Sequence, residues 1–198
     1  MFATKYNRCI LYIFFLLITT SSGLSANVTS YKMDPVHSTV WFRVLHLAIS
    51  PAYGAFSEIS GEIQFDPEHV ENASITITVK TNSINTLNNK RDEHLRSPDF
   101  FDVEKFPEAK FKSTSWEHIE ENRYRIKGIL TLLGVDKPIE LEAKWVGAGK
   151  GRNHEERIGF EAVFTIKRSD FGMTKYLPTQ IGDEVVLTVG IEAEKIEK

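Results

Sequence analysis

The residues that could do chemistry in this chain are mainly its histidines: His37, His46, His69, His94, His118 and His154. An imidazole can act as a general base or as a metal ligand. No two of them stand at the spacing of a helical zinc motif. The single cysteine, Cys9, lies in an N-terminal apolar segment, so the rest of the chain has no thiol to offer. A zinc site from His37, His46 and His94 would have to be assembled by folding alone. The stretch "RDEHLR" has the look of an acid–base pair in Asp92 and His94. On a helix, however, residues two apart do not face each other. Arg91 and Arg96 could meet a phosphate, or could pair in water with Glu93 and Asp99. There is no nucleophile elbow, no glycine-rich phosphate loop and no standout pair of carboxylates. These patterns require neither cofactor nor metal.

The elements around these residues follow a period of two. "HSTVWFRVLH" sets Val40, Phe42 and Val44 on one face and Trp41 and Leu45 on the other. "GEIQFD" joins Ile63 to Phe65, and "ASITITVKT" aligns Ala73, Ile75, Ile77 and Val79. The same alternation runs through "EAKFKSTSW", "RYRIKGILTLL", "PIELEAKWV", "RIGFEAVFTIK" and "EVVLTVGIEAE". Such segments are strands with one buried face. They number eight, and most links between them are short, which favours an antiparallel meander. Eight strands can close into a barrel or stack as a two-sheet sandwich; the pattern is nearly the same for both. His46, in phase with Phe42 and Val44, points inward near one barrel end. There it either bonds a backbone carbonyl or anchors the polar head of a ligand.

Two connections are long: about residues 82–108, and "RSDFGMTKYLPTQIGD", residues 168–183. Long loops without structure are uncommon in compact domains, and these two favour function. The first contains "NKRDEHLRSPDFFDVEKFP", where phenylalanines sit in a densely charged run. Its asparagines can cap a helix and Pro98 limits its end, so a short helix is expected over Arg91–Ser97. Leu95, Phe100 and Phe101 would turn toward the barrel, and Phe106 would complete an apolar flap. Such a flap covers either a filled core or the mouth of a cavity. Small inward residues (Gly61, Ala73, Gly128, Ala143 and Ala162) leave room beside Phe42, Phe65, Phe160 and Phe164.

At the N-terminus, Lys5 and Arg8 precede a short apolar run and then small residues, the layout of a cleaved secretory leader over residues 1–26. The run is too short to span a bilayer as a helix. Export would make the domain, residues 27–198, a periplasmic one without disulfides and with no stable membrane span. Removing Lys5 and Arg8 takes the formal net charge from −3 to −5, which argues against nucleic acid as a partner. Asn27 and Asn72 head formal glycosylation sequons, which matter only in a eukaryotic secretory pathway.

"YKMDPVHSTVWFRVLHL", "GAFSEISGEIQFDP", "RDEHLRSPDFFDVEKFPEAKFKS", "GILTLLGVDKPIEL" and "IKRSDFGM" together resemble the YceI-like family, over about residues 31–195. The resemblance implies an all-β, eight-stranded antiparallel lipocalin-like barrel, with the short helix between the third and fourth strands. It also implies an exported lipid-binding protein without catalytic activity, whose guest is a polyisoprenoid or other long-chain, fatty-acid-like lipid. By position it assigns Phe42, Val44, Phe65, Ile77 and Phe160 to an apolar lining. It assigns His46, Arg91, Asp92, His94 and Arg168 to a polar mouth. The alternatives are a lipid-acting hydrolase or isomerase with His46 or His94 as base, and a solid barrel that binds another protein. A homodimer stays open.

Overall fold

The alternating segments form the strands they predict, and the strands close on themselves. A computed structural model describes residues 28–197; the expected leader, residues 1–26, lies outside the described residues. The strands are β1 (Thr29–Met33), β2 (Thr39–His46), β3 (Ser50–Phe56), β4 (Ile59–Phe65), β5 (Ser74–Lys80) and β6 (Ile84–Asn85). After helix α1 (Asn89–Arg96) come β7 (Glu108–Glu120), β8 (Arg123–Leu132), β9 (Val135–Lys150), β10 (Glu156–Lys167) and β11 (Ile181–Lys195). All pairings are antiparallel, and β1 pairs both β4 and β11, which closes the ring. β2 continues β1 along β11, with Phe42 opposite Leu187 and Val44 opposite Val185. β3 runs on into β4, and β6 follows β5 to pair Phe56 with Ile84. The barrel therefore has eight staves, three of them broken.

Sequence periodicity misses β1 and most of β3. Residues 50–55 hold a proline, a glycine and two alanines, which read as a turn. In the barrel, β3 pairs β2 on one side and meets β6 on the other only through Ala55 and Phe56. Pro51 thus occupies an open edge, where its missing N–H is harmless.

Both long connections lie at the same end, the mouth, together with the β2–β3 turn and the β8–β9 turn. In-phase side chains have different fates at the two ends. Ile158 and Phe160 of β10 are buried, whereas Ala162, Phe164 and Ile166, on the same face, are only half-buried. The far end is filled by an aromatic floor. Phe65 sits among Trp116, Tyr124, Trp145 and Phe160, with ring centroids 5.1–6.0 Å away, the Phe160 and Tyr124 rings edge-on. Toward the mouth no such filling occurs, and the apolar faces line empty space.

Two of the small inward residues have another purpose. A side chain at Gly61 would strike the Thr76 carbonyl, and one at Gly128 would strike the Phe111 ring. These glycines permit close approach within the wall and leave no room for a guest; Gly61, Ala73 and Gly128 do not line the cavity. Ala143 and Ala162 do.

Candidate functional site

The interior above the aromatic floor is a cavity of about 980 Å³. This lies at the upper end of the usual range for ligand pockets. Its walls come from β2, β3, β5, β7, β8, β9, β10 and β11. Phe42, Val44, Ile77 and Phe160 all line it, as the strand phases place them. Phe65 does not: it is buried in the centre of the floor, one layer below the space it was expected to face. Trp116 lines the cavity floor, and its buried indole N–H has no hydrogen-bond partner among the described residues. It lies among aromatic rings, which are weak acceptors for such a group.

The mouth is roofed by the charged block. α1 starts two residues earlier and stops one residue sooner than the sequence suggests. Asn88 caps it by accepting from the Arg91 backbone N–H at 3.0 Å, and Ser97, ahead of Pro98, is extended. Phe101 packs edge-on against Phe56 at 5.4 Å, and Phe56 in turn meets Phe42 at 5.9 Å. Phe100 is buried against His94, with centroids 5.1 Å apart, and against Tyr176 of the second long connection at 6.2 Å. A Lys175–Asp99 ion pair at 3.2 Å ties the same two segments. Leu95, Phe100 and Phe101 all line the cavity, so the flap roofs an open space. Phe106 lies outside the lining and packs on Gly134 in the β8–β9 turn.

The charges of this block mostly hold backbone. Asp92 is buried and accepts from both the Thr86 N–H, at 2.9 Å, and the Thr86 hydroxyl. Arg91 donates to the same hydroxyl at 2.7 Å and to the Thr86 carbonyl at 2.6 Å. Arg96 donates to the carbonyls of Asn82 and Ile84. This chain segment leaves the sheet after β6, so its polar groups need partners other than a neighbouring strand. Asp92 therefore does not belong to the mouth; it is a clamp beneath the helix, outside the lining. Arg91 reaches the lining but is committed to Thr86.

Arg168 also lines the cavity and is likewise committed. Its guanidinium donates to the carbonyls of Gly182 (2.9 Å), Met173 (2.9 Å), Lys175 (2.8 Å) and Ile181 (3.1 Å). Burial pulls its pKa below the ordinary arginine value, and the Asp183 carboxylate opposes that shift. This arginine shapes the second long connection from within. His46 and His94 remain at the mouth, and both line the opening. His94 Nε2 lies 3.0 Å from Asp99, so its acid partner is five residues away and not Asp92. Sequence reasoning missed Lys90 and Tyr176, which also line the mouth; neither has a periodicity that would single it out.

The three histidines considered for zinc do not converge. His37 instead joins Asp34 and Glu192, the one metal-competent grouping among the described residues. Arg157 already donates to Asp34 at 2.6 Å and to Glu192 at 2.7 Å, so a guanidinium neutralises the carboxylates there. The cluster fastens the β1–β2 break to β10 and β11.

A closed eight-stave antiparallel barrel, floored at one end and holding an apolar cavity under a flap at the other, defines a lipocalin-like protein. Residues 31–193 match the YceI-like domain, and the chain belongs to that family. It is 41% identical over 182 residues to Protein YceI of Salmonella newport (strain SL254), covering 89% of this chain and 91% of that protein. The crystal structure of the Campylobacter jejuni YCEI protein is 37% identical, with a TM-score of 0.67 over 77% of this chain and 90% of that one. Two more distant structures share the fold. Burkholderia cenocepacia BcnA superposes with a TM-score of 0.75 at 23% identity, covering 81% of this chain and 98% of that one. A polyisoprenoid binding domain from Saccharophagus degradans superposes at 0.65 and 16% identity, covering 85% and 99%.

Proposed function

We propose that this protein is an exported carrier that sequesters one long-chain isoprenoid or similar amphipathic lipid inside its barrel. The observation that carries the reading is the cavity of about 980 Å³, walled by Phe42, Val44, Ile77, Phe160, Phe164 and Leu187. These wall side chains are apolar, and the Trp116 indole N–H on the floor is a lone buried donor beneath them, so an apolar chain fits and a strongly polar one does not. His46, His94 and Lys90 surround the opening and suit a polar head. The polyisoprenoid binding domain with the same fold supports the lipid class. Burying about 400 Å² of apolar chain would contribute roughly 10 kcal/mol before association entropy is subtracted. Retention therefore needs no catalytic step. Export to the periplasm rests on the leader-like residues 1–26.

The test is native mass spectrometry of the purified protein followed by organic extraction. The expected result is a mass above that of the bare chain, and an extract dominated by a long apolar lipid. A bare mass, with no uptake from isoprenoid or fatty-acid mixtures, would falsify the reading.

A further inference from the structure

The rim of the mouth is more apolar than a water-facing loop cluster needs to be. Ile49, at the β2–β3 turn, is 81% exposed, and Leu87, at the start of the flap segment, is 96% exposed. Leu45, Leu47, Tyr53 and Tyr176 are also exposed. Leu45, Tyr53, Leu87 and Tyr176 all belong to the cavity opening, Leu45 and Tyr53 from the β2–β3 hairpin whose turn carries Leu47 and Ile49. Elsewhere, Val36 is exposed in the β1–β2 break, and Val146 and Val163 are exposed singly on β9 and β10.

The backbone under this rim is held in an unfavourable region. Leu47 has φ of 52°, Leu87 of 61° and Tyr176 of 63°. Glycine or asparagine adopts these angles with little strain; leucine and tyrosine do not. The Asn85 side chain accepts from the Leu87 N–H at 2.8 Å and so holds the turn that presents that leucine to solvent. Large apolar residues kept at strained, exposed positions gain nothing from folding, and strain of this kind gathers at functional sites.

We propose that this rim is a membrane-docking surface: Leu47, Ile49 and Leu87 enter the interfacial layer of a bilayer and place the cavity mouth against the lipid. The proposal rests on the carrier reading, because the patch is continuous with the apolar cavity. A lipid that passed through water would expose its whole chain, whereas a mouth set on the bilayer lets it transfer within apolar surroundings. The rim is built from separate projections, a hairpin tip and two loop residues. Such projections fit a deformable lipid surface better than they fit a flat protein face. Trp41 and Tyr53, exposed on the same hairpin, are residues that settle at a membrane–water boundary.

The experiment is flotation of the purified protein with phosphatidylcholine vesicles, at low and high salt. It compares the wild type with a rim variant, Leu47→Asn with Ile49→Asp, and a wall variant, Val146→Asp with Val163→Asp. Neither pair lines the cavity. The wild type and the wall variant should float at both salt levels, while the rim variant loses at least about tenfold in partition. Bound lipid, read by mass spectrometry on the same samples, should be unchanged in all three. Lipid-filled wild type that does not float would overturn docking and leave the carrier reading intact. Flotation of protein that never contains lipid would support docking and remove the carrier reading. Equal loss in the wall variant, or a dimer in sedimentation that the rim variant abolishes without any flotation of the wild type, would also overturn the proposal; the latter outcome makes the patch a contact between copies.

Discussion

Individual charged residues in this protein mostly fix backbone, and two of them give measurable consequences. Asp34 is bonded by His37 at 2.8 Å and by Arg157 at 2.6 Å, and these partners hold its carboxyl well below the usual carboxylate range. The same carboxylate raises the pKa of His37. The Asp34 contribution to stability is complete above the unfolded value near 3.8 and is lost as pH falls from there toward the lower folded value. The His37 contribution has the opposite sign: it is complete below 6.5 and is lost as pH rises through the raised folded value. Asp34→Asn should therefore lower the melting temperature most between those two limits. Thermal unfolding followed from about pH 3 to about pH 8 should show a flatter profile in the variant. Arg168 is the second case. Arg168→Met leaves four carbonyls without their donor. A loss of about 3 kcal/mol in urea unfolding is expected. A loss below about 0.5 kcal/mol would mean that water replaces the guanidinium without penalty.

At the scale of elements, the flap joins the two long connections into one roof. Phe101 carries α1 onto Phe56 and the barrel wall, while Phe100 reaches Tyr176 across the mouth. Trimming both to alanine removes apolar cover from the opening and leaves α1 held by Asp92, Arg91 and Arg96. The barrel should stay folded, and preloaded lipid should leave at least about tenfold faster, as read by stopped-flow transfer to acceptor vesicles. Unchanged release together with unchanged stability would show that the phenylalanines do not roof the site. The helix was legible in the sequence because Asn88 and Pro98 bound it locally. The attachment of its charges was not, because Thr86 becomes a hub only once β6 has left the sheet.

For the molecule as a whole, the question is how much of the barrel is solid. The division falls near Phe160: below it the aromatic floor packs, and above it the in-phase residues face space. Ala162 stands just above that boundary, opposite Ala143 of β9. Ala162→Phe would extend the floor upward into the cavity. Stability should be unchanged or higher, since the new ring enters empty volume and not a packed core. Extractable lipid should fall sharply or shift to shorter chains, measured by mass spectrometry of the extract. If long lipid persists at full occupancy, the guest does not reach this depth.

The sequence by itself determined eight of the eleven strands and their inward faces, the short helix and the two connections that matter, because period two and local capping are properties of neighbouring residues. It also determined the family, through motifs that run almost the length of the chain. It did not separate lining from floor: Phe65 and Phe160 are both inward aromatics, yet Phe65 is packed away and Phe160 also faces the cavity. Nor did it separate mouth from clamp, since Asp92 and His94 are two residues apart and serve different partners. Only the tertiary structure decided those matters. Depth within a barrel, and the choice of hydrogen-bond partner, depend on which staves the closure brings side by side, and on where their side chains run out of volume to fill.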